Sequence, residues 1–254
     1  MRDVLEAVAD GDITVAEAES RLAGYATTDA GRFDAAREGR RGVPEAILGD
    51  GKSPEAVADL TSAALETTGR AIVTRTTPDH RDAVREMLDR EGEEDATVEV
   101  TPEAGTVVAR APGFDPPALA ATVAVVTAGT SDAGPASEAA VIAREMGAAV
   151  ERIDDVGVAG IHRLFANVDA IRAADVAVVA AGREGALPTV VAGLVDSPVI
   201  GLPVSVGYGE GGEGEAALLG MLQSCSVLSV VNVDAGFVAG AQAGLIARAV
   251  DGGG

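Results

Sequence analysis

The chain has one cysteine, two histidines, no tryptophan and a single lysine. Each shortage removes a class of protein. The lone Cys225 can form no intramolecular disulfide and no multi-cysteine metal centre, which suits a reducing cytosol. Two histidines without other soft ligands make a poor structural zinc site. Aromatic residues reach only 2 % while hydrophobic residues reach 47 %, so a core has to be assembled from Ala, Val, Leu and Ile. Long apolar runs are also missing. The longest weakly charged stretch, Gly185 to Gly209, is interrupted by Pro188, Asp196, Pro198 and Pro203 and makes a poor membrane span. Met1 to Asp10 is acidic and amphipathic, without the apolar centre of a signal peptide. The expectation is a soluble cytoplasmic protein.

Positive charge is scarce as well. The formal net charge is −21, and Lys52 is the only lysine among 19 basic residues. The acidic residues are spread along the chain, with no acidic tail. A dispersed acidic surface that keeps arginine and nearly dispenses with lysine reads as adaptation to a salty cytoplasm, where screening weakens self-repulsion. The same field argues against binding to nucleic acid.

At 254 residues the chain fits a small domain followed by a medium one. The first part reads as α+β. Val4, Leu5 and Val8 mark a short helix ending near Gly11, and Thr14 with Glu17 forms a capping box for a second. Ser53 and Pro54 start a third helix that runs to about Gly69. Ile72–Arg75 is a short strand and Pro78–Arg90 is helical, while Val98–Val100 and Val107–Ala109 form a hairpin. Ala111 to Pro117, with three prolines and a glycine, separates a domain of residues 1–115 from one of residues 118–254. Beyond it, apolar strands at Thr122–Thr127, Ala148–Arg152, Val176–Ala180, Val199–Gly201 and Leu228–Val231 alternate with Ala-rich helices. That alternation predicts an α/β domain, a parallel sheet covered on both faces. Right-handed crossovers put the strand-to-helix loops on one edge.

Chemistry-bearing residues gather in those loops. Gly129-Thr130-Ser131-Asp132 follows the first strand, where small residues and a helix N-terminus suit a phosphate; an ordinary capped turn fits equally well. Gly182-Arg183-Glu184-Gly185 holds the equivalent place after the third strand, and a charged pair between glycines there points to a site. Tyr208 sits in a glycine-rich loop that reads as a lid or as a plain connection. His162 and Arg163 open the helix after Asp154 and Asp155, and a solvent-facing pair is the default reading. A free cysteine such as Cys225 is more often a small buried hydrophobe than a nucleophile. In the first domain, Asp34, Arg37 and Arg40 share a helical spacing that suits local ion pairs, although Arg37, Arg40 and Arg41 together would also suit an anion or the acidic second domain.

Taken together, the motifs resemble the LarB family, the carboxylase/hydrolases of nickel-pincer nucleotide cofactor biosynthesis. The resemblance runs from Asp34-x-x-Arg37-x-x-Arg40 and Gly51-Lys52 to Asp155-Val156-Gly157-Val158-Ala159-Gly160-Ile161-His162-Arg163. It continues through Glu184-Gly185-Ala186-Leu187-Pro188, Val206-Gly207-Tyr208-Gly209 and Met221-Leu222-Gln223-Ser224-Cys225. The second domain is similar to PurE, the aminoimidazole ribonucleotide carboxylase or mutase. It departs at Ala186, where PurE has a histidine before Leu-Pro.

This resemblance implies a PurE-like three-layer αβα domain, a homo-octamer and a defined reaction. Nicotinic acid adenine dinucleotide would be carboxylated on its pyridinium ring with CO2 and hydrolysed at its phosphoanhydride. The products would be pyridinium-3,5-biscarboxylic acid mononucleotide and AMP. Cys225 would be the nucleophile and Glu184 would handle the ring proton. Gly129, Thr130, Ser131 and Asp132 would hold the ribose phosphate, with Asp155, His162, Arg163, Arg183 and Tyr208 completing the substrate contacts. No tightly bound organic cofactor is implied; a divalent cation such as Mg2+ would assist phosphoanhydride cleavage. The alternatives are an aminoimidazole ribonucleotide carboxylase and a non-catalytic nucleotide-binding module.

Overall fold

Ser53 accepts a hydrogen bond from the Ala56 N–H and Pro54 occupies the first helical position, so the longest N-terminal helix starts where that pair stands in the sequence. It ends at Gly69, whose φ of 72° is the left-handed conformation a C-cap favours. The computed structural model describes residues 2–11, 18, 21–92 and 95–252. Within it the chain divides into two units, Met1–Asp115 and Pro116–Gly254.

The first unit begins with α1 (Arg2–Asp10); the helix expected from Thr14 and Glu17 lies outside the described residues. A hairpin of β1 (Ala26–Thr28) and β2 (Gly31–Phe33) follows, then a single turn α2 (Arg37–Arg41). Next come β3 (Ile47–Leu48), α3 (Pro54–Thr68), β4 (Arg70–Thr74), α4 (Pro78–Glu91), β5 (Thr97–Thr101) and β6 (Thr106–Arg110). The strands form a mixed sheet in the order β3-β4-β6-β5. Its core joins Val57, Ala64, Val73, Val84, Met87 and Val107, and each buried side chain of valine size or larger contributes roughly 1.5–3 kcal/mol. Buried His80 has both ring nitrogens engaged. Nδ1 accepts from the Thr77 N–H at 3.1 Å, which leaves Nε2 to donate to the Lys52 carbonyl at 3.0 Å.

The second unit runs β7 (Thr122–Thr127), α5 (Ala133–Glu145), β8 (Ala149–Ile153), α6 (Ile161–Ala173), β9 (Val176–Ala181), α7 (Ala186–Ala192), β10 (Val199–Pro203), α8 (Glu215–Leu222), β11 (Ser229–Val230) and α9 (Gly236–Asp251). All five strands are parallel, in the order β11-β10-β9-β7-β8. Period-two alternation sends Val123 and Val125 of β7 to a layer made by α5 and α9. Ala124 and Val126 go to the other layer, where Leu164, Ile171, Leu187 and Met221 pack. The expected three layers are therefore present, and both faces of the sheet are apolar.

The small residues of α9 serve contacts inside the unit. A Cβ on Gly236 would lie 2.3 Å from the Pro135 carbonyl oxygen, and one on Gly240 would lie 2.4 Å from that of Ala139. Hence α9 can approach α5 only through glycine. Asp251, at the far end of α9, accepts a 2.7 Å hydrogen bond from the Ala120 N–H just before β7.

Candidate active site

From β7 the chain turns toward β8 on one side, and from β9 it turns toward β10 on the other. The carboxyl ends of β7 and β9 thus flank the point where the winding reverses, the crevice in which open α/β sheets bind ligands. The loops singled out in the sequence meet at this edge. The Gly157 N–H donates to the Ala128 carbonyl at 2.8 Å, and a Cβ at Gly157 would stand 2.6 Å from that same oxygen. Ser205 N–H donates to Asp234 at 3.0 Å.

Asp132 lies between the two central loops. It is 5 % exposed. One carboxylate oxygen accepts from the Gly129 N–H at 2.8 Å and the other from the Gly182 N–H at 3.1 Å. Desolvation holds its carboxyl above the usual carboxylate range, and these two bonds only partly offset that shift. Part of the expected phosphate site is therefore already engaged, since the Gly129 N–H is taken by Asp132. Thr130 and Ser131 remain exposed at the turn.

The Gly182–Gly185 turn is held by close backbone approaches. A Cβ at Gly182 would lie 2.3 Å from the Val206 oxygen, and one at Gly185 would lie 2.5 Å from the Ala217 oxygen. A Cβ on Gly220 of α8 would lie 2.3 Å from the Glu184 oxygen. Between the two turn glycines, Arg183 adopts φ 54°, and Asp155, Glu213 and Asp234 share that left-handed conformation in neighbouring loops. Non-glycine residues hold it only where the surroundings over-determine the backbone, commonly at functional sites.

Arg183 stacks on the Tyr208 ring at 3.9 Å. The hydrogen bond from Arg183, and after it the guanidinium charge, hold the Tyr208 phenol below its ordinary range. With Glu184, Val206, Gly207 and Glu210 the pair lines a cleft of about 220 Å³. Asp155 is ion-paired with Arg163, while His162 beside it is exposed. The sequence pointed to neither the Arg183–Tyr208 stack nor the Asp155–Arg163 pair.

Cys225 is exposed, so the buried-hydrophobe reading does not hold. It lies in the loop after α8, outside the lining of the Tyr208 cleft. Its neighbour Ser226 ties that loop to α7, donating from Oγ to the Thr189 carbonyl at 3.1 Å. Since α7 begins directly after Gly185, the thiol's loop and the Glu184 turn share one support. Among the described residues no group of three or more His, Cys, Asp or Glu is arranged to hold a metal. No described helix is long and apolar enough to cross a membrane.

Several arginines of the first unit make ion pairs. Arg40 meets Asp34 at 2.7 Å, Arg37 meets Glu45 at 2.7 Å, and buried Arg70 meets Glu38 at 2.9 Å. The spacing had suggested local ion pairs along a shared Asp34, Arg37 and Arg40 face; Arg40 does pair with Asp34, while Arg37 turns to Glu45.

Two family models match the chain, one in each unit. Residues 25–110 match a LarB/PurE-like N-terminal domain, and residues 122–252 match an AIR carboxylase domain. An uncharacterized protein of Methanocaldococcus jannaschii is 36 % identical over 254 residues, covering 98 % of this chain and 97 % of its own. A crystal structure of a PurE variant from Treponema denticola aligns with 46 % of this chain and 74 % of that one, at 22 % identity and a TM-score of 0.39. The second unit is thus an AIR-carboxylase-type α/β domain, which places the protein in a carboxylase class. With the N-terminal match and the AIR carboxylase match together, the chain belongs to the LarB family.

Proposed function

We propose that the protein carboxylates the pyridinium ring of nicotinic acid adenine dinucleotide and hydrolyses its phosphoanhydride, yielding pyridinium-3,5-biscarboxylic acid mononucleotide and AMP for nickel-pincer nucleotide synthesis. The observation that supports this most is an exposed, unpaired Cys225 on a loop tied to the helix that follows Glu184. Ala186 stands where PurE has its histidine, which weighs against aminoimidazole chemistry. A non-catalytic binding module has no use for an accessible thiol.

A pyridinium is electron-poor, so its C5 cannot attack CO2. Addition of the Cys225 thiolate to C4 makes a dihydropyridine whose C5 is an enamine carbon. C5 then forms its bond to CO2, and the resulting ring iminium carries both a hydrogen and a carboxylate at that carbon. Loss of the C5 proton, which we assign to Glu184, and departure of the thiolate restore the aromatic ring without net oxidation. Sulfur suits both halves as nucleophile and leaving group. Thr130 and Ser131 are assigned to the ribose phosphate, and His162 with the Asp155–Arg163 pair to the phosphoanhydride. A divalent cation such as Mg2+ would neutralise charge there. The working form is assigned as a cytoplasmic homo-octamer.

The test is mass spectrometry after incubation with nicotinic acid adenine dinucleotide and isotope-labelled bicarbonate. Label should enter the ring with the wild type and not with Cys225→Ser, which exchanges a polarizable, strongly nucleophilic sulfur for a weakly nucleophilic alcohol. Phosphoanhydride cleavage needs no thiol and should persist. Label incorporated by the variant at the wild-type rate would eliminate the covalent route.

A further inference from the structure

The last residue of β7 carries a hydroxyl that is almost fully covered, at 1 % exposure, and serves two partners in the loop after β8. Thr127 Oγ1 donates to Asp154 at 3.1 Å and accepts from the Asp155 N–H at 3.0 Å. We propose that Thr127 is a positioning residue: through Asp155 it sets the Arg163 guanidinium for the phosphoanhydride of the substrate. The catalytic consequence rests on the function proposed above.

The end of β7 grips successive residues of that loop. Beyond the two bonds of the hydroxyl, the Thr127 carbonyl accepts from the Val156 N–H at 3.0 Å and the Ala128 carbonyl from the Gly157 N–H at 2.8 Å. Asp154 also accepts from Arg152 at 2.7 Å, and Arg152 donates in turn to Ser137 of α5 at 2.8 Å. The loop is thus tied to a strand and to a helix before the chain reaches Arg163. Within it Asp155 holds φ 59°, which a non-glycine residue keeps only where its surroundings fix the backbone. The bond from its N–H to Thr127 is such a constraint, and it fixes the point from which the Asp155 carboxylate pairs with Arg163. Arg163 is confined as well, since a Cβ on Gly160 at the start of α6 would lie 2.9 Å from its Nε. The arginine side chain is still 40 % exposed, which leaves part of its donor fork open to a phosphate. Thr127 itself is covered and its hydroxyl is committed to protein partners, so any effect on substrate has to pass through the loop. Valine, which fills the neighbouring positions Val125 and Val126, has the same shape; the hydroxyl is explained by the loop it holds.

The full chain is compared with Thr127→Val, which keeps the shape and loses both hydrogen bonds, and with Thr127→Ser, which keeps the hydroxyl. In ligand-free protein, amide hydrogen exchange in the peptide covering 153–158 should speed up by about tenfold or more in Thr127→Val. Thr127→Ser should stay within about threefold of wild type. With saturating nicotinic acid adenine dinucleotide and labelled bicarbonate, Thr127→Val should release AMP about tenfold or more slowly, while label enters the ring within about twofold of the wild-type rate. Loss of folded molecules would lower both rates together, whereas a displaced Arg163 lowers the one at the phosphoanhydride. In an Arg163→Gln background, adding Thr127→Val should slow AMP release by less than about twofold, because both changes act through one group. Unchanged exchange in Thr127→Val would overturn the proposal, as would equal falls in the two reactions or full additivity with Arg163→Gln. A Thr127→Ser protein that behaves like Thr127→Val would overturn it too. Failure of Thr127→Val to fold would make Thr127 a folding residue and overturn the proposal as well. If wild-type protein neither labels the ring nor releases AMP, the proposed function falls, and the exchange comparison still decides whether Thr127 holds the loop.

Discussion

Replacing Gly220 by Ala should damage activity more than stability. The added Cβ would sit 2.3 Å from the Glu184 carbonyl oxygen, where ordinary contact begins near 3.4 Å, so α8 or the Glu184 turn must move by about 1 Å. Overpacking of this kind costs about 1–3 kcal/mol. Alanine recovers up to about 1 kcal/mol of helix propensity at an α8 position. The net cost is then roughly 0–2 kcal/mol, a fall in melting temperature of no more than about 8 °C. A 1 Å misplacement of a reacting group, by contrast, can cost about 100-fold in rate. Gly240→Ala is the control, since its Cβ would press on the Ala139 carbonyl at 2.4 Å in the α5–α9 seam. It should lower the melting temperature while folded molecules keep their rate. The assay is labelled-bicarbonate incorporation per folded molecule, beside thermal melts of both variants. Gly220→Ala turning over within twofold of wild type would refute the idea that this contact sets Glu184.

Three other outcomes are expected. Because the folded state raises the Asp132 carboxyl, the unfolded chain ionises first as pH rises. Wild type should thus lose stability relative to Asp132→Asn from the ordinary carboxylate range up to the raised value, and show no further change above it; parallel melts across acidic pH with a constant difference would contradict this. If the net charge of −21 reflects a salty cytoplasm, melting temperature should climb with KCl, and equal values in dilute and molar KCl would count against it. Light scattering in molar salt should report an octamer, and a stable monomer at micromolar concentration would sink that assignment.

Much of the second unit was legible because a covered parallel strand is an unbroken apolar run. Thr122–Thr127 was read to the residue, and β9 ran one residue beyond its expected end at Ala180. Strand β10 continues two residues beyond its expected end at Gly201, to Pro203, a proline being tolerated at the last position of a strand. In the first unit, Ser53-Pro54 and Gly69 bounded α3 through capping chemistry that is local. The β1–β2 hairpin escaped notice: each strand has three residues, and Ala-Thr-Thr and Gly-Arg-Phe show no alternation. The Asp34–Arg37–Arg40 face shrank to a five-residue helix, with Arg37 paired to Glu45 instead. The site was legible as a set of loops, but not as a mechanism of support. Asp132 looks like a cap or a ligand from its neighbours, and nothing nearby in sequence announces Gly182. The same holds for Gly220, whose reason for being glycine is a carbonyl on another loop.

The hydrogen bond from Ala120 to Asp251 brings the entry of β7 and the exit of α9 side by side. The second unit is consequently a closed circuit whose opening point is a matter of connectivity and not of architecture. A circular permutant that joins Gly252 to Ala118 by a short linker, and begins instead in the exposed 207–210 loop, would keep every strand neighbour and every layer. In that molecule the Tyr208 loop would become a pair of free ends while Asp132, Glu184 and Cys225 kept their supports, separating the contribution of loop closure from that of the framework beneath it.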